Sequence, residues 1–180
     1  FRSSKVYIAS FSDIIFIIYE KSLIMILVFI LLIFTNNSIT DEAIREMYKA
    51  STNNKEICKE LFELLKEENK LNSSPTKLAF YGGTLSLMAF YSNNPIEKIM
   101  YSNEANKVLD RSVELDPQNF DARSLRILYN ANVPSILSNH DELNEDILLF
   151  NSMIGLPQNY TLYNEWMISI INEILSESKL

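Results

Sequence analysis

Adjacent carboxylates are the residues of this 180-residue chain best suited to acid–base chemistry. The pairs considered for this role are Glu67–Glu68, Asp141–Glu142 and Glu145–Asp146. Acid–base catalysis requires carboxylates that converge in a pocket. Each pair instead falls on the polar face of a predicted helix or at a helix start, where acids also suit the helix dipole. The pattern predicts solvated acids and no catalytic residue, and an enzyme with an unrecognised acidic site is the least favoured alternative.

Metal and thiol chemistry would depend on the single histidine, His140, and the single cysteine, Cys58. A zinc site needs about four ligands, so these two isolated residues predict no metal site. His140 lies in a polar stretch and is predicted to be an exposed loop or capping residue. Cys58 falls within an apolar helical stripe, which predicts a small buried core residue rather than a reactive thiol.

Gly82 and Gly83 are the only candidates for a phosphate-binding loop. Nucleotide-binding motifs place such glycines after a strand, with a Lys-Ser pair or a third glycine following. No strand signal precedes this pair and no such residues follow it. We therefore expect both glycines inside a helix, where their small size lets a neighbouring helix approach closely. Each glycine lowers the helix propensity of that segment by about 1 kcal/mol. No cofactor is predicted.

The charge of the chain bears on its partners. The net charge is −7, and removing residues 1–34 takes away three basic and two acidic residues, which leaves −8 on the remainder. Phosphate backbones repel such a body, so nucleic acid is not an expected partner.

The most apolar stretch, residues 23–34, is a run of 12 residues preceded by Lys21. This length suits the h-region of a signal peptide and is short for a membrane span, which needs about 20 residues. We predict an N-terminal extension over residues 1–39 and export to the periplasm, the envelope or the exterior. A retained anchor over residues 14–34 and a plain buried helix stay open as alternatives. The natural start also stays open, at or near Met25 or in a longer protein.

Residues 40–180 are predicted to form a row of amphipathic helices. Apolar residues recur at i, i+3 and i+4, strand-like alternation is absent, and only three glycines occur. The helix over residues 76–91 is apolar on nearly all sides, so we expect it to be the most buried. The last helix, over residues 160–175, should bury its apolar stripe within its own domain. Predicted N-caps are Asp41, Asn54, Ser74 and either Asn139 or Asp141, and Gly155 is a predicted left-handed C-cap.

One further helix, over residues 96–115, is predicted to bury a single face. That face is expected to carry Ile99, Met100, Ala105, Val108, Leu109 and Ser112. Asp116 and Pro117 should end it, because proline disfavours helical backbone in the residue before it.

Residues 103–128 resemble the second helix of a tetratricopeptide repeat followed by the first helix of the next repeat. In that family a small residue opens the second helix, large apolar residues follow, and an Asp-Pro-x-Asn turn leads onward. The matching positions here hold Ala105, Leu109, Ser112, Pro117 and Asn119. The family has a second alanine where this chain has Ser112, and the preceding helix lacks the usual Trp, Leu-Gly and Tyr landmarks. The resemblance covers about one repeat and implies an all-α, degenerate tetratricopeptide-like α-solenoid.

The resemblance also implies a function. Families of this kind commonly act as non-enzymatic protein-interaction or scaffold modules, so we expect a protein partner for a chain of the bacterial envelope or the exterior. The alternative is a membrane-anchored helical protein with a periplasmic or extracellular domain. In that case the membrane contact comes only through the uncleaved N-terminal segment.

Overall fold

Seven helices form the domain in the computed structural model, which describes residues 39–69, 74–134, 139–156 and 161–177. They account for 84% of these residues, none of which is in a strand, so the all-α class is confirmed. The predicted leader at residues 23–34 lies outside the described residues. Within them, no helix is long and apolar enough to cross a membrane. The helices are α1 (Asp41–Ser51), α2 (Lys55–Asn69), α3 (Pro75–Tyr91), α4 (Pro95–Leu115), α5 (Phe120–Asn132), α6 (His140–Met153) and α7 (Leu162–Glu177).

Helix starts follow local capping chemistry. As predicted, the side chains of Asn54, Ser74 and Asn139 accept hydrogen bonds from backbone N–H groups in the first turns of α2, α3 and α6. The prediction of Asp41 as a cap was wrong. Thr40 has the extended backbone that a cap requires and accepts a 3.3 Å hydrogen bond from the Ala43 N–H, whereas Asp41 is already helical.

The end of α6 also differs from prediction. Its C-cap is Ile154, which has right-handed helical backbone at φ −55° and ψ −38°. The following turn closes through a 3.1 Å hydrogen bond from the Leu156 N–H to the Met153 carbonyl. That bond needs no left-handed residue, and Gly155 does not adopt that conformation.

The odd-numbered helices contact one another in a ring. Helix α1 packs on α3, α3 on α5, α5 on α7, and α7 returns to α1. Edge-to-face aromatic contacts join three of these helices. Phe80 of α3 contacts Tyr48 of α1 at 5.5 Å and Tyr163 of α7 at 5.9 Å between ring centroids. The even-numbered helices α2, α4 and α6 pack against members of this ring. The prediction that α7 buries its apolar stripe in the domain holds for Tyr163, Met167 and Ile171, whereas the rest of the stripe is half-buried: Trp166, Ile170, Ile174 and Leu175.

The most buried helix is α5, and the prediction that α3 would be was wrong. Ten of the 13 residues of α5 are buried, including Asp121, Arg123 and Arg126. Charged residues in a sequence indicate a solvated face, but these three are paired with residues of α1 and α6. The C-terminal half of α3 is less buried, because it lines a cavity.

Helix α4 has two apolar faces instead of the predicted single one. Ala105, Val108 and Leu109 are buried against the neighbouring helices, whereas Ile99 and Met100 are exposed. At about 100° per residue, the stripe of Ile96, Ile99 and Met100 points about 180° away from the stripe that begins at Ala105. The face opposite the buried one therefore carries exposed apolar side chains in the first two turns of α4.

Candidate binding cavity

Two adjacent glycines in the middle of α3 set the distances between helices around the cavity. A Cβ atom on Gly82 would lie 2.7 Å from Leu109 Cγ on α4. A Cβ atom on Gly83 would lie 3.0 Å from the Tyr48 ring on α1 and 3.1 Å from Leu125 Cδ2 on α5. The prediction that these glycines permit close helix approach is confirmed, with α4 on one side and α1 and α5 on the other.

An apolar cavity of about 690 Å³ lies among α1, α3, α4, α5 and α7. Its buried end is the point where Gly83 meets Tyr48 and Leu125, all of which are buried. Its open end is marked by Phe90. Gly83 and Phe90 are seven positions apart on α3, which is about 10 Å along a helix. The other apolar residues of the wall are Leu87, Ala89, Ile99, Leu128, Val133, Pro134, Trp166, Ile170 and Ile174.

Four large apolar side chains are exposed together at the end of the α3–α4 hairpin, and we call them the apolar tip. They are Phe90, Ile96, Ile99 and Met100, with exposed fractions of 70%, 69%, 59% and 64%. Phe90 and Ile99 also line the cavity, whereas Ile96 and Met100 do not. Exposed apolar groups clustered in this way mark binding surfaces for proteins, membranes or apolar ligands.

Most of the polar groups inside the cavity are hydrogen-bonded within the chain. The Ser102 and Tyr129 hydroxyls lie 3.1 Å apart, and the Ser86 hydroxyl donates to the Gly82 carbonyl at 3.2 Å. Asn132 donates its amide to the Leu128 carbonyl at 2.8 Å. Lys98 is the one charged residue of the wall, and it is exposed. Within the described chain its ammonium makes no ion pair.

The acidic pairs considered for catalysis do not gather at this cavity, since none of their members lines it. Glu68 forms a 2.9 Å ion pair with Lys77. Glu145 is exposed at the side chain, as predicted for a polar face, and lies 3.2 Å from Arg123. The prediction that Asp146 is a solvated acid was wrong, because this carboxylate is fully buried.

Asp146 belongs to an ion cluster that joins α5 to α6. Its carboxylate accepts hydrogen bonds from Arg126 Nε and Nη2 at 2.7 and 2.8 Å, and also from Arg123 Nη1. Asp110 of α4 accepts a further bond from Arg126 at 3.1 Å. Burial alone would lower the pKa of Arg126, but the hydrogen bonds and charge of Asp146 raise it above its ordinary value. The cluster neutralises buried charge and connects three helices, so it is structural.

A partly buried ion pair joins α5 to α1. Arg45 donates from Nη2 and Nε to the two carboxylate oxygens of Asp121, at 2.8 and 3.4 Å. Burial raises the pKa of Asp121, although the hydrogen bonds and charge of Arg45 oppose that shift. This pair explains why α5 can carry an acid on the face that points into the domain.

The two isolated residues considered for metal or thiol chemistry occupy separate positions. Cys58 is buried, as predicted, and burial raises the pKa of its thiol to about 11, so it is protonated at neutral pH. His140 is the first residue of α6, and Asn139 rather than His140 supplies the cap. No group of three or more potential metal ligands is found in the part of the chain that the structure describes.

The cavity and the apolar tip are the features that sequence reasoning missed. A signal for the tip was present, because the two apolar stripes of α4 differ in helical phase. The cavity had no such signal, since its wall combines residues from five helices that are far apart in the chain. Comparison of the chain with models of protein families, with curated proteins and with solved structures finds no match.

Proposed function

We propose that this chain is a non-enzymatic protein-interaction module that binds an apolar segment of a partner protein at the apolar tip. The single observation that carries the proposal is the exposure of Phe90 at the end of α3 and of Ile96, Ile99 and Met100 at the start of α4. Leaving four large apolar side chains in water is unfavourable by about 25 cal/mol for each Å² of apolar surface. A partner that covers them recovers that free energy, whereas the acidic remainder of the chain disfavours nucleic acid.

A tetratricopeptide-like arrangement is part of the proposal, and contacts of α4 support it. Ala105 and Ser112 stand at the family's small positions, and both are fully buried. The Ser112 hydroxyl donates to the Pro75 carbonyl at 2.8 Å, and the Asn119 amide donates to the Thr76 hydroxyl at 3.0 Å. These bonds attach α4 and the following turn to the start of α3. The contact of α7 with α1 would make the proposed array closed rather than extended.

We place the protein in the bacterial envelope or outside the cell, on the strength of the apolar run at residues 23–34. The N-terminal residue of the mature protein, determined from its host, tests both export and cleavage. Carbonate extraction of membranes tests the alternative of a retained anchor. Release of the intact, uncleaved chain into the soluble fraction contradicts that alternative.

Site-specific photo-crosslinking in the host tests the interaction at the tip. A photo-reactive phenylalanine replaces Ile96 or Met100 in the full chain, and the matched control position is Leu148 on α6, which is 72% exposed. We expect the same protein to be crosslinked from both tip positions and not from the control. Ile96→Asp should reduce the crosslink formed from position 100 at least tenfold. Equal labelling from all three positions, or no protein adduct from the tip, contradicts the proposed function.

A further inference from the structure

The cavity has the size of a site for a small ligand rather than for a helix. Ligand sites commonly have volumes of about 300–1,000 Å³, and this one, which opens to solvent, has about 690 Å³. An α-helix of about 10 Å diameter would fill that volume with about 9 Å of its length, which is less than two turns. At about 30 Å³ per heavy atom, a value similar to the share of one water molecule, the same volume holds roughly 20 atoms of a slender ligand.

The wall of the cavity selects an apolar tail. Leu87, Leu128, Ile170 and Ile174 contribute aliphatic surface, and Trp166 adds an indole ring. The hydroxyls of Ser86, Ser102 and Tyr129 have hydrogen-bond partners within the chain, as described above. A ligand with polar groups along its length would lose their hydration and find these three hydroxyls already paired. The interior therefore suits a saturated chain.

Lys98 defines the chemistry of the other end of the ligand. It is the one charged residue of the wall and is exposed to solvent. The carboxylate next to it in sequence, Glu97, accepts a 2.7 Å hydrogen bond from the Ser92 hydroxyl. The ammonium is thus available to an anionic head group, in a chain whose net charge of −7 otherwise repels anions.

We propose that the cavity binds an aliphatic monocarboxylate, with its tail among α1, α3, α5 and α7 and its carboxylate at Lys98. The cavity shares Phe90 and Ile99 with the apolar tip, whereas Ile96 and Met100 do not line it, so the crosslinking positions report on the part of the tip outside the cavity. The tail enters between Phe90 and Ile99 and ends near Gly83.

Trp166 provides a direct test, because it is the single tryptophan of the chain and lines the cavity. The probe is 12-bromododecanoate, whose bromine quenches tryptophan emission only on contact, titrated below its micellar concentration into the full chain in detergent-free buffer. We expect saturable quenching with one site per chain, reversed by unbrominated dodecanoate. The uncharged comparison ligand is 12-bromododecan-1-ol.

Three variants give the test its specificity. Lys98→Gln should weaken binding of the carboxylate at least fivefold and change binding of the alcohol less than twofold. Lys107→Gln is the matched control, since Lys107 is an exposed lysine of the same helix that does not line the cavity. Ala89→Phe should abolish quenching by filling the cavity, with circular dichroism to establish that the variant is folded. If it is not folded, Ile174→Trp repeats this test at another residue of the cavity wall, with displacement of a fluorescent fatty acid as the readout.

The outcomes separate this proposal from the proposed function. Absence of saturable quenching overturns carboxylate binding, even if tip crosslinking succeeds. Equal losses in Lys98→Gln and Lys107→Gln, or equal effects of Lys98→Gln on the acid and the alcohol, also overturn it. Specific carboxylate binding without a crosslinked protein supports it and contradicts the proposed function alone.

Discussion

The charge on Asp146 should be one of the largest single contributions to the stability of this domain. Replacing it by Asn keeps the shape of the side chain, but it removes the negative charge that faces Arg123 and Arg126. Both guanidinium groups are buried, at side-chain exposures of 4% and 7%, and Asp146 itself is at 0%. Hydration cannot compensate the loss, and the new amide N–H group must face other donors.

The size of the effect follows from the contacts. Asp146 accepts three charge-assisted hydrogen bonds, each of which contributes about 1.5–3 kcal/mol. Part of the loss is offset, because Arg123 keeps Glu145 at 3.2 Å and Arg126 keeps Asp110 at 3.1 Å. Breaking a buried pair typically costs about 3–5 kcal/mol, and the remaining carboxylates place Asp146→Asn near the lower limit, at about 3 kcal/mol.

Urea denaturation of the full chain measures this cost. Far-ultraviolet circular dichroism and Trp166 fluorescence monitor the unfolding. With a slope of about 2 kcal/mol per molar urea, the unfolding midpoint should fall by about 1.5 M. Glu145→Gln is the matched control, because Glu145 is adjacent in sequence and contacts the same Arg123, but its side chain is 61% exposed. An exposed pair contributes about 0–1 kcal/mol, so the control should lower the midpoint by less than about 0.5 M. Equal midpoints for the two variants would refute the structural role of the buried cluster.

Two further predictions concern helix packing and pH. Gly82→Ala should destabilise the domain by about 1–2 kcal/mol, because the new Cβ meets Leu109 Cγ at 2.7 Å and the strain outweighs the gain in helix propensity. The control variant Gly155→Ala should not destabilise it, because a Cβ atom on Gly155 would have no atom within 4 Å. Equal losses in urea midpoint for the two variants would contradict this prediction. Burial raises the pKa of Cys58 from 9.0 to about 11, so between those pH values the unfolded state releases a proton that the folded state retains. Stability should therefore fall as pH rises from 9 to 11, by up to about 1.4 kcal/mol per pH unit from this thiol. Cys58→Ala should make the decline shallower, and identical slopes for variant and parent would contradict the assignment.

Much of the local structure was predictable from the sequence. Side-chain caps act over two or three residues, so Asn54, Ser74 and Asn139 could be identified without knowing the fold. Helix existence followed from apolar periodicity, and Gly82 and Gly83 indicated close packing because few other roles suit two glycines within a helix. The errors at Thr40 and Gly155 were differences of one residue or one turn, where several geometries can satisfy the same backbone groups.

Burial of charge was decided by the tertiary structure. Asp146, Arg126 and Asp121 have the sequence context of solvated residues, and each becomes buried only because a partner on another helix satisfies its charge. Such a partner lies up to 76 residues away, as Arg45 does from Asp121. No periodicity within one helix carries that information, so the most buried helix could not be identified from its own sequence.

The candidate site divides in the same way. The sequence by itself determined the types of residue available: few residues with catalytic or ligating potential, an acidic surface and two apolar stripes on α4. The tertiary structure decided which stripe is covered, because α3 and α5 pack on the face of Ala105 and leave Ile96, Ile99 and Met100 exposed. It also decided that α4 and the four odd-numbered helices together line one cavity, whose wall combines side chains from distant parts of the chain. A cavity is a property of the space between helices, and that space is fixed by packing distances rather than by the pattern along any one of them.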